Sequence, residues 1–246
     1  VECNTENGII CDGLYHYRTH EINGRIVRID DKDFTTCPYN IFYQMDMEER
    51  NKLRKYYRTL DEEFFIFDEN KTFKTFNLAF NEIEKECAQI QDFIYSDLRI
   101  LLLVGKTGRG KTHLCHAILN HCQFKRKKAK MIEAPKLYEI FKNMSGIDYD
   151  EIYDDVLKLI NNCDVIIVDD LGTETQTERE VFNKGFKEIL DHHKGKIIIT
   201  ANLSRQDMVK IYGEKIFSRL HEKAKWILLK GKDRDYRIQK DNFKEA

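Results

Sequence analysis

Residues 105–112, Gly-Lys-Thr-Gly-Arg-Gly-Lys-Thr, fit the pattern G-x-x-x-x-G-K-[ST] without a mismatch. No other stretch limits the fold as tightly. A loop that wraps a phosphate chain with its own N–H groups needs a strand to enter it and a helix to leave it. Both flanks are present. Arg99–Val104 (RILLLV) is nearly all apolar, as a strand buried on both faces must be. Lys111–Cys122 has helical spacing of its apolar residues. Gly105, Gly108 and Gly110 permit positive φ and close approach of an anion, with Lys106, Thr107 and Arg109 completing the loop. Lys111 would reach the β- and γ-phosphate oxygens, and the Thr112 hydroxyl would ligate Mg²⁺. The rival reading is a Gly-rich turn that matches by chance, and the strand and helix on either side argue against it.

The rest of the chain after about residue 70 supplies a sheet to carry that loop. Short apolar runs at Lys130–Ala134, Asp164–Val168, Lys196–Thr200 and Lys225–Leu229 alternate with helical patterns. Pro135 suits the first turn of a helix. Thr177–His192 places Val181, Phe182, Phe186, Ile189 and Leu190 on one side, and Ile216–Ala224 also reads as helix. The expected fold is α/β: a P-loop NTPase with a central, mostly parallel five-stranded sheet flanked by helices. The run Val165-Ile-Ile-Val-Asp169-Asp170 is a hydrophobic strand ending in two acids. Asp169 would hold Mg²⁺ directly or through water, and Asp170 would orient and polarise an attacking water. Many such sites carry Glu in the second place, and Asp is one methylene shorter. An acidic strand-to-loop corner is the bland alternative. After Ile197-Ile-Ile, Thr200 or Asn202 would reach the γ-phosphate or the water; spacing alone equally allows a helix N-cap at Asn202 or Ser204.

Charge narrows the partners. Lys and Arg number 41 against 42 Asp and Glu, so bulk charge recruits no nucleic acid and any DNA contact must use a local patch. Lys125–Lys130 is the strongest basic run, readable as a solvated turn or as a phosphate-backbone contact. Tyr138 and Phe141 follow at a spacing that suits stacking or core packing. With 41% hydrophobic residues, no membrane-length apolar run and no secretory signal, the expectation is a cytoplasmic globular protein without a membrane partner. The chain opens on Val, so upstream residues can be missing. Seven cysteines, without a secreted scaffold's spacing, read as reduced thiols. His113, Cys115, His116, His121 and Cys122 read as helix core and surface rather than metal ligands. Residues 1–70 read as a separate segment containing a helix at Asp46–Leu60 and an apolar cluster at Phe64–Phe67; residues 71–246 read as the ATPase domain.

The ordered motifs, the Gly105–Thr112 loop, then VIIVDDLGTE, IIITANLS, GEKIFSRL and KGKDRDYR, resemble the bacterial AAA+ replicative-helicase loaders of the DnaC/DnaI type. The transposition helper ATPase IstB is related. The resemblance covers about Phe73–Arg237 and includes FKTF at Phe73–Phe76. It implies a domain without a C-terminal helical lid, Asn202 as the sensor-1 residue and Arg219 as an arginine finger reaching a neighbouring subunit's γ-phosphate. Lys215 falls where relatives often carry another Arg. Arg237 matches a C-terminal arginine that contacts nucleotide, with Arg234 as its rival. Asp191-His192-His193 stands where loaders often have an Arg, which weakens any contact assigned there. By the same resemblance the amino-terminal segment docks on the helicase. Its Cys3, Cys11 and Cys37 are either Zn²⁺ ligands or ordinary cysteines, since Asn40 fills the last position of a C-P-x-C pair.

The implied function is loading of a ring helicase of the DnaB type onto single-stranded DNA. ATP and Mg²⁺ would control release, hydrolysis would be weak and stimulated by assembly or DNA, and the protein would self-oligomerise with ATP. The alternatives are a transposition helper acting on duplex DNA with a transposase, and a nucleotide-gated binding module with little hydrolysis.

Overall fold

The computed structural model describes residues 10–11, 16–22, 25–30, 47–77, 83–145, 151–173, 178–222 and 224–230. The chain divides into two compact units, Val1–Asp61 and Glu62–Ala246. In the first, β1 (Ile10–Cys11), β2 (His16–Ile22) and β3 (Arg25–Asp30) form an antiparallel sheet, with Tyr17 opposite Asp30 and Ile22 opposite Arg25. The sequence reading named no strand here, because His-Tyr-Arg-Thr-His-Glu-Ile lacks the continuous apolar run of a strand covered on both faces. Helix α1 (Met47–Phe64) runs one turn past the expected end at Leu60.

The second unit is built on a five-stranded sheet. Its strands are β4 (Ile100–Val104), β5 (Ala129–Glu133), β6 (Val165–Leu171), β7 (Lys196–Ala201) and β8 (Ala224–Leu228). The order is β5-β6-β7-β4-β8 and every pairing is parallel, as the α/β reading required. Between the strands lie α3 (Lys111–Phe124), α4 (Ala134–Ser145), α5 (Glu151–Asn161), α6 (Arg179–His192) and α7 (Arg205–His221), and α2 (Glu84–Tyr95) precedes β4.

The strand order decides where the helices go. The path from β4 to β5 crosses the sheet in one direction, and every later step returns in the other. Right-handed crossovers then put α3 on one face and α4 to α7 on the opposite face. On the α3 face, Leu101, Leu103, Ile167, Ile198 and Ile227 meet Ile90 and Phe93 of α2 and Leu114 and Ile118 of α3 in one buried cluster. The alternate residues Leu102, Ile166, Ile197 and Ile199, all at most 2% exposed, point the other way. On α6, Phe182 and Phe186 stack at 5.2 Å between ring centroids, and Phe141 of α4 meets Phe182 edge-on at 5.9 Å. Phe141 is therefore core, which settles its reading against an exposed stacking role.

Helix α7 starts after Ser204, one of the two N-cap positions the sequence allowed, well before the clean helical spacing at Ile216. Ser204 caps it, accepting from the Asp207 amide at 3.1 Å while Asp207 accepts from the Ser204 amide at 3.2 Å. Gly213, at φ 77°, kinks it in the middle, which is why only its second half kept clean helical spacing. Among the described residues, no helix is long and apolar enough to cross a membrane.

Candidate nucleotide site

In a parallel sheet of this order, the reversal of direction opens a crevice at the carboxyl end of β4. The loop Gly105–Thr112 fills that crevice. Gly105 follows β4 directly, and its amide bonds to the Ala201 carbonyl at the end of β7 (3.2 Å). A Cβ on Gly105 would stand 2.8 Å from the Leu229 carbonyl oxygen, so the backbones approach too closely for any side chain. Gly110 has φ 81°, and a Cβ there would meet the Phe76 ring at 2.6 Å. Helix α3 starts from Gly110 with no side-chain cap. Its first amides are thus left for something else, and a helix N-terminus of this kind favours an anion.

Lys111 is 6% exposed, and its ammonium donates to the carbonyls of Gly105 (2.7 Å) and Lys106 (3.2 Å). The loop holds this cation at its own centre. Arg109 is buried, whereas Lys106 and Thr107 are exposed. The Thr112 hydroxyl donates to Asp169 Oδ2 at 2.9 Å. Two hard oxygen ligands from neighbouring elements thus converge, the chemistry that Mg²⁺ takes. Asp169 is 2% exposed on β6.

Asp170 adopts φ 57°, rare for a residue with a side chain. The pairing of β6 with β7 slips between Val168 and Leu171 at the same place. This irregularity turns Asp170 out of the strand, so that it lines a cavity of about 450 Å³ together with Thr107–His113 and residues 70, 71 and 75–77. That size suits a small-molecule ligand.

Thr200 is the residue whose role the sequence misplaced. It is fully buried, donates to Asp169 Oδ1 at 2.5 Å and accepts from the Asp170 amide at 2.8 Å. It therefore sits behind both acids and braces them, instead of reaching toward a phosphate. Thr200→Val keeps the shape and removes both bonds, leaving a buried carboxylate oxygen and an amide unmatched. The expected loss is about 2 kcal/mol of folding stability, read as a lower urea midpoint, together with slower ATP turnover. An unchanged midpoint would show that the hydroxyl braces nothing. Asn202, by contrast, is exposed just past β7 and is not among the residues lining the cavity.

A second contribution came from a segment that the phosphate motif gives no hint of. Asn120 of α3 donates to the carbonyls of Asp68 and Lys71, both at 2.9 Å. His113 Nε2 lies 3.0 Å from the Thr72 carbonyl oxygen, and its ring meets Phe76 edge-on at 5.2 Å. These contacts pin residues 68–76 along α3 and make them a wall of the cavity.

Arg219 lies in the last turn of α7 and does not line the cavity. Its Nε donates to Asp191 Oδ1 on α6, and its Nη1 donates to the Lys215 carbonyl at 3.1 Å. Asp191 also accepts from Lys187 at 2.9 Å. The Arg219 and then the Lys187 hydrogen bonds pull the Asp191 carboxyl down to about 2. So Asp191 binds, within the same chain, the arginine that the sequence reading offered as a finger.

Cys87, Cys115, Cys122 and Cys163 are free and buried. Burial, then Asp169 and Asp170, push the Cys115 thiol well up, so it is a neutral packing group behind the site. No group of three or more His, Cys, Asp or Glu suited to a metal occurs among the described residues. Cys3, Cys37, Arg234 and Arg237 lie outside the described residues, Cys11 is described only as a backbone position in β1, and no match reported below supports zinc.

The bacterial DnaA ATPase domain matches residues 67–229. This chain belongs to the bacterial DnaA ATPase-domain family. The replicative helicase loader DnaC of Escherichia coli (strain K12) is 22% identical over 187 residues, covering 71% of this chain and 73% of the loader. The crystal structure of the DnaC helicase loader superposes with a TM-score of 0.52 at 23% identity, over 65% of this chain and 96% of that one. A structure of the replication initiator DnaA bound to AMPPCP and single-stranded DNA gives 0.53 at 18% identity, over 73% and 56%. The resemblance to the loaders and the AAA+ P-loop fold are both borne out, and the family's proteins are ATPase-domain proteins of DNA replication.

Proposed function

We propose that this chain is an ATPase that loads a replicative ring helicase of the DnaB type onto single-stranded DNA. The observation that carries the nucleotide half of this reading is the meeting of Thr112 and Asp169 at 2.9 Å beside a central Lys111. The fit is good: an uncapped helix N-terminus for phosphate, two oxygen ligands for Mg²⁺ and a walled cavity. Thr112 and Asp169 would hold Mg²⁺, whose charge, when bound, offsets that of the phosphates. Lys111 and the loop amides bind the phosphate chain, and residues 68–77 keep water out on one side. Asp170, turned into the cavity by its positive φ, takes the proton of the attacking water. Asn202 orients that water. Arg219, and Arg237 from the terminal segment, add positive charge to the phosphates, Arg219 acting on a neighbouring subunit in an ATP-dependent oligomer.

The helicase half rests on the loaders named above. Residues 1–70, apart from the stretch from Asp68 that walls the cavity, serve as the partner-binding segment and 71–246 as the ATPase domain. Hydrolysis is weak alone, rises on assembly or on DNA, and times release of the helicase. The relatives named above are replication proteins, which favours a loader over a transposition helper. The test is a pull-down of the host's replicative helicase by this protein with ATP or with ADP. A stable complex that changes with the nucleotide is expected; no complex in either condition would sink the loader reading.

A further inference from the structure

Helix α7 is built as two helices joined at one residue. Gly213 stands in its middle at φ 77° and ψ 163°, a backbone region that only glycine enters without strain. A Cβ there would meet nothing within 4 Å, so the backbone conformation, and not crowding, calls for glycine. The first half is anchored by the Ser204 cap and by the buried Met208 and Tyr212, with the Tyr212 ring 6.2 Å from that of Phe182 on α6. The second half buries Ile216 and Leu220 and carries Arg219.

One side chain touches both halves. Trp226 of β8 is the only tryptophan in the sequence. The Arg205 guanidinium, at the start of the first half, lies over its ring at 4.8 Å. Phe217 and His221, in the second half, meet the same ring at 5.9 and 6.1 Å and each other at 5.8 Å. In an unbroken helix, positions 205 and 221 would lie about 160° apart around the axis, on nearly opposite sides. The break at Gly213 lets both face one indole. The Trp226 Nε1 is buried without a hydrogen-bond partner, so the indole acts by its shape.

Arg219 is on the other side of the second half. It follows Phe217 by two residues, about 200° further round, and meets Asp191 of α6. The last two turns of α7 are thus backed by Trp226 and present the guanidinium away from it, where the side chain keeps 33% exposure. We propose that Gly213 and Trp226 are positioning residues for Arg219: the break sets the direction of the second half, and the indole holds it there. This rests on the finger role given to Arg219 above and adds what aims the finger.

The test is ATP turnover by mixed protomers of the full chain. Gly213→Ala should bind nucleotide as the wild type does, because neither Gly213 nor Trp226 lines the cavity. Its turnover should fall roughly 10- to 100-fold, the scale of a reacting group misplaced by about 1 Å. Mixed with Lys111→Ala, which keeps an intact α7, it should regain part of the activity; mixed with Arg219→Ala it should regain none. Trp226→Ala should repeat this pattern. Trp226→Phe loses no hydrogen bond, keeps a ring and should retain most of the turnover. The two Trp226 variants decide the matter if Gly213→Ala does not fold. In folded Gly213→Ala the emission of the sole tryptophan should shift, and unshifted emission would overturn the link between the break and the indole. Wild-type turnover in Gly213→Ala or Trp226→Ala would overturn the role of that residue. So would a loss that Lys111→Ala protomers fail to restore, or that Arg219→Ala protomers do restore; in each case Arg219 would stand as the finger. Full activity of Arg219→Ala would instead remove the finger, and this role with it.

Discussion

Lys111→Ala should lower ATP turnover by roughly 10²- to 10³-fold, as expected when one preorganised donor to the phosphates is removed. The reason lies in how the ammonium is held. It is 6% exposed and donates to two carbonyls of its own loop, so its position is set before any ligand arrives. A lysine on a free surface would have to be ordered first, at a cost in side-chain entropy. The variant should bind Mg²⁺–ATP much more weakly in a fluorescent-nucleotide titration. Its helical circular dichroism should persist, because the sheet core does not depend on this side chain. Turnover at the wild-type rate, in protein shown to be folded, would refute the role given to the loop.

Arg219→Ala should leave ATP affinity unchanged and reduce turnover of the assembled protein by about 10³-fold or more. In the single chain the guanidinium rests on Asp191, and its side chain keeps 33% exposure. The Asp191 carboxyl, held at about 2, stays ionised throughout the neutral range, so the pair is present there at every pH. Such a solvent-screened pair is weak, and a phosphate can replace the carboxylate without a large penalty. A mixing test separates action on the chain's own nucleotide from action on a neighbour's. Arg219→Ala and Lys111→Ala protomers are each expected to be inactive alone. Mixed, the Lys111→Ala protomer supplies Arg219 to the intact loop of its neighbour, and part of the activity should return. Full activity of Arg219→Ala alone would remove the finger, and an inactive mixture would remove its action between subunits.

The pairing of Arg219 with Asp191 illustrates what a sequence hides. The two residues are 28 positions apart on different helices, and each reads on its own as a solvated charge. Thr200 is a similar case. Its place at the end of an apolar strand was legible, but its direction was not, because the slip at Val168–Leu171 decides which way neighbouring groups face. The wall made by residues 68–76 depends on Asn120 and His113, whose side chains bond to carbonyls that carry no sequence signature.

What the sequence alone determined is the phosphate loop, the acid-ended strand and the parallel sheet between them. The loop needs particular residues at fixed local spacing, and a strand covered on both faces must be apolar along its whole length; both demands are met within a few neighbouring residues. Tertiary structure alone decided which side chain braces which, where the second cavity wall comes from and which acid holds Arg219. Those facts depend on how separate elements meet across the sheet, and hydrogen bonds between distant residues leave no period in the chain.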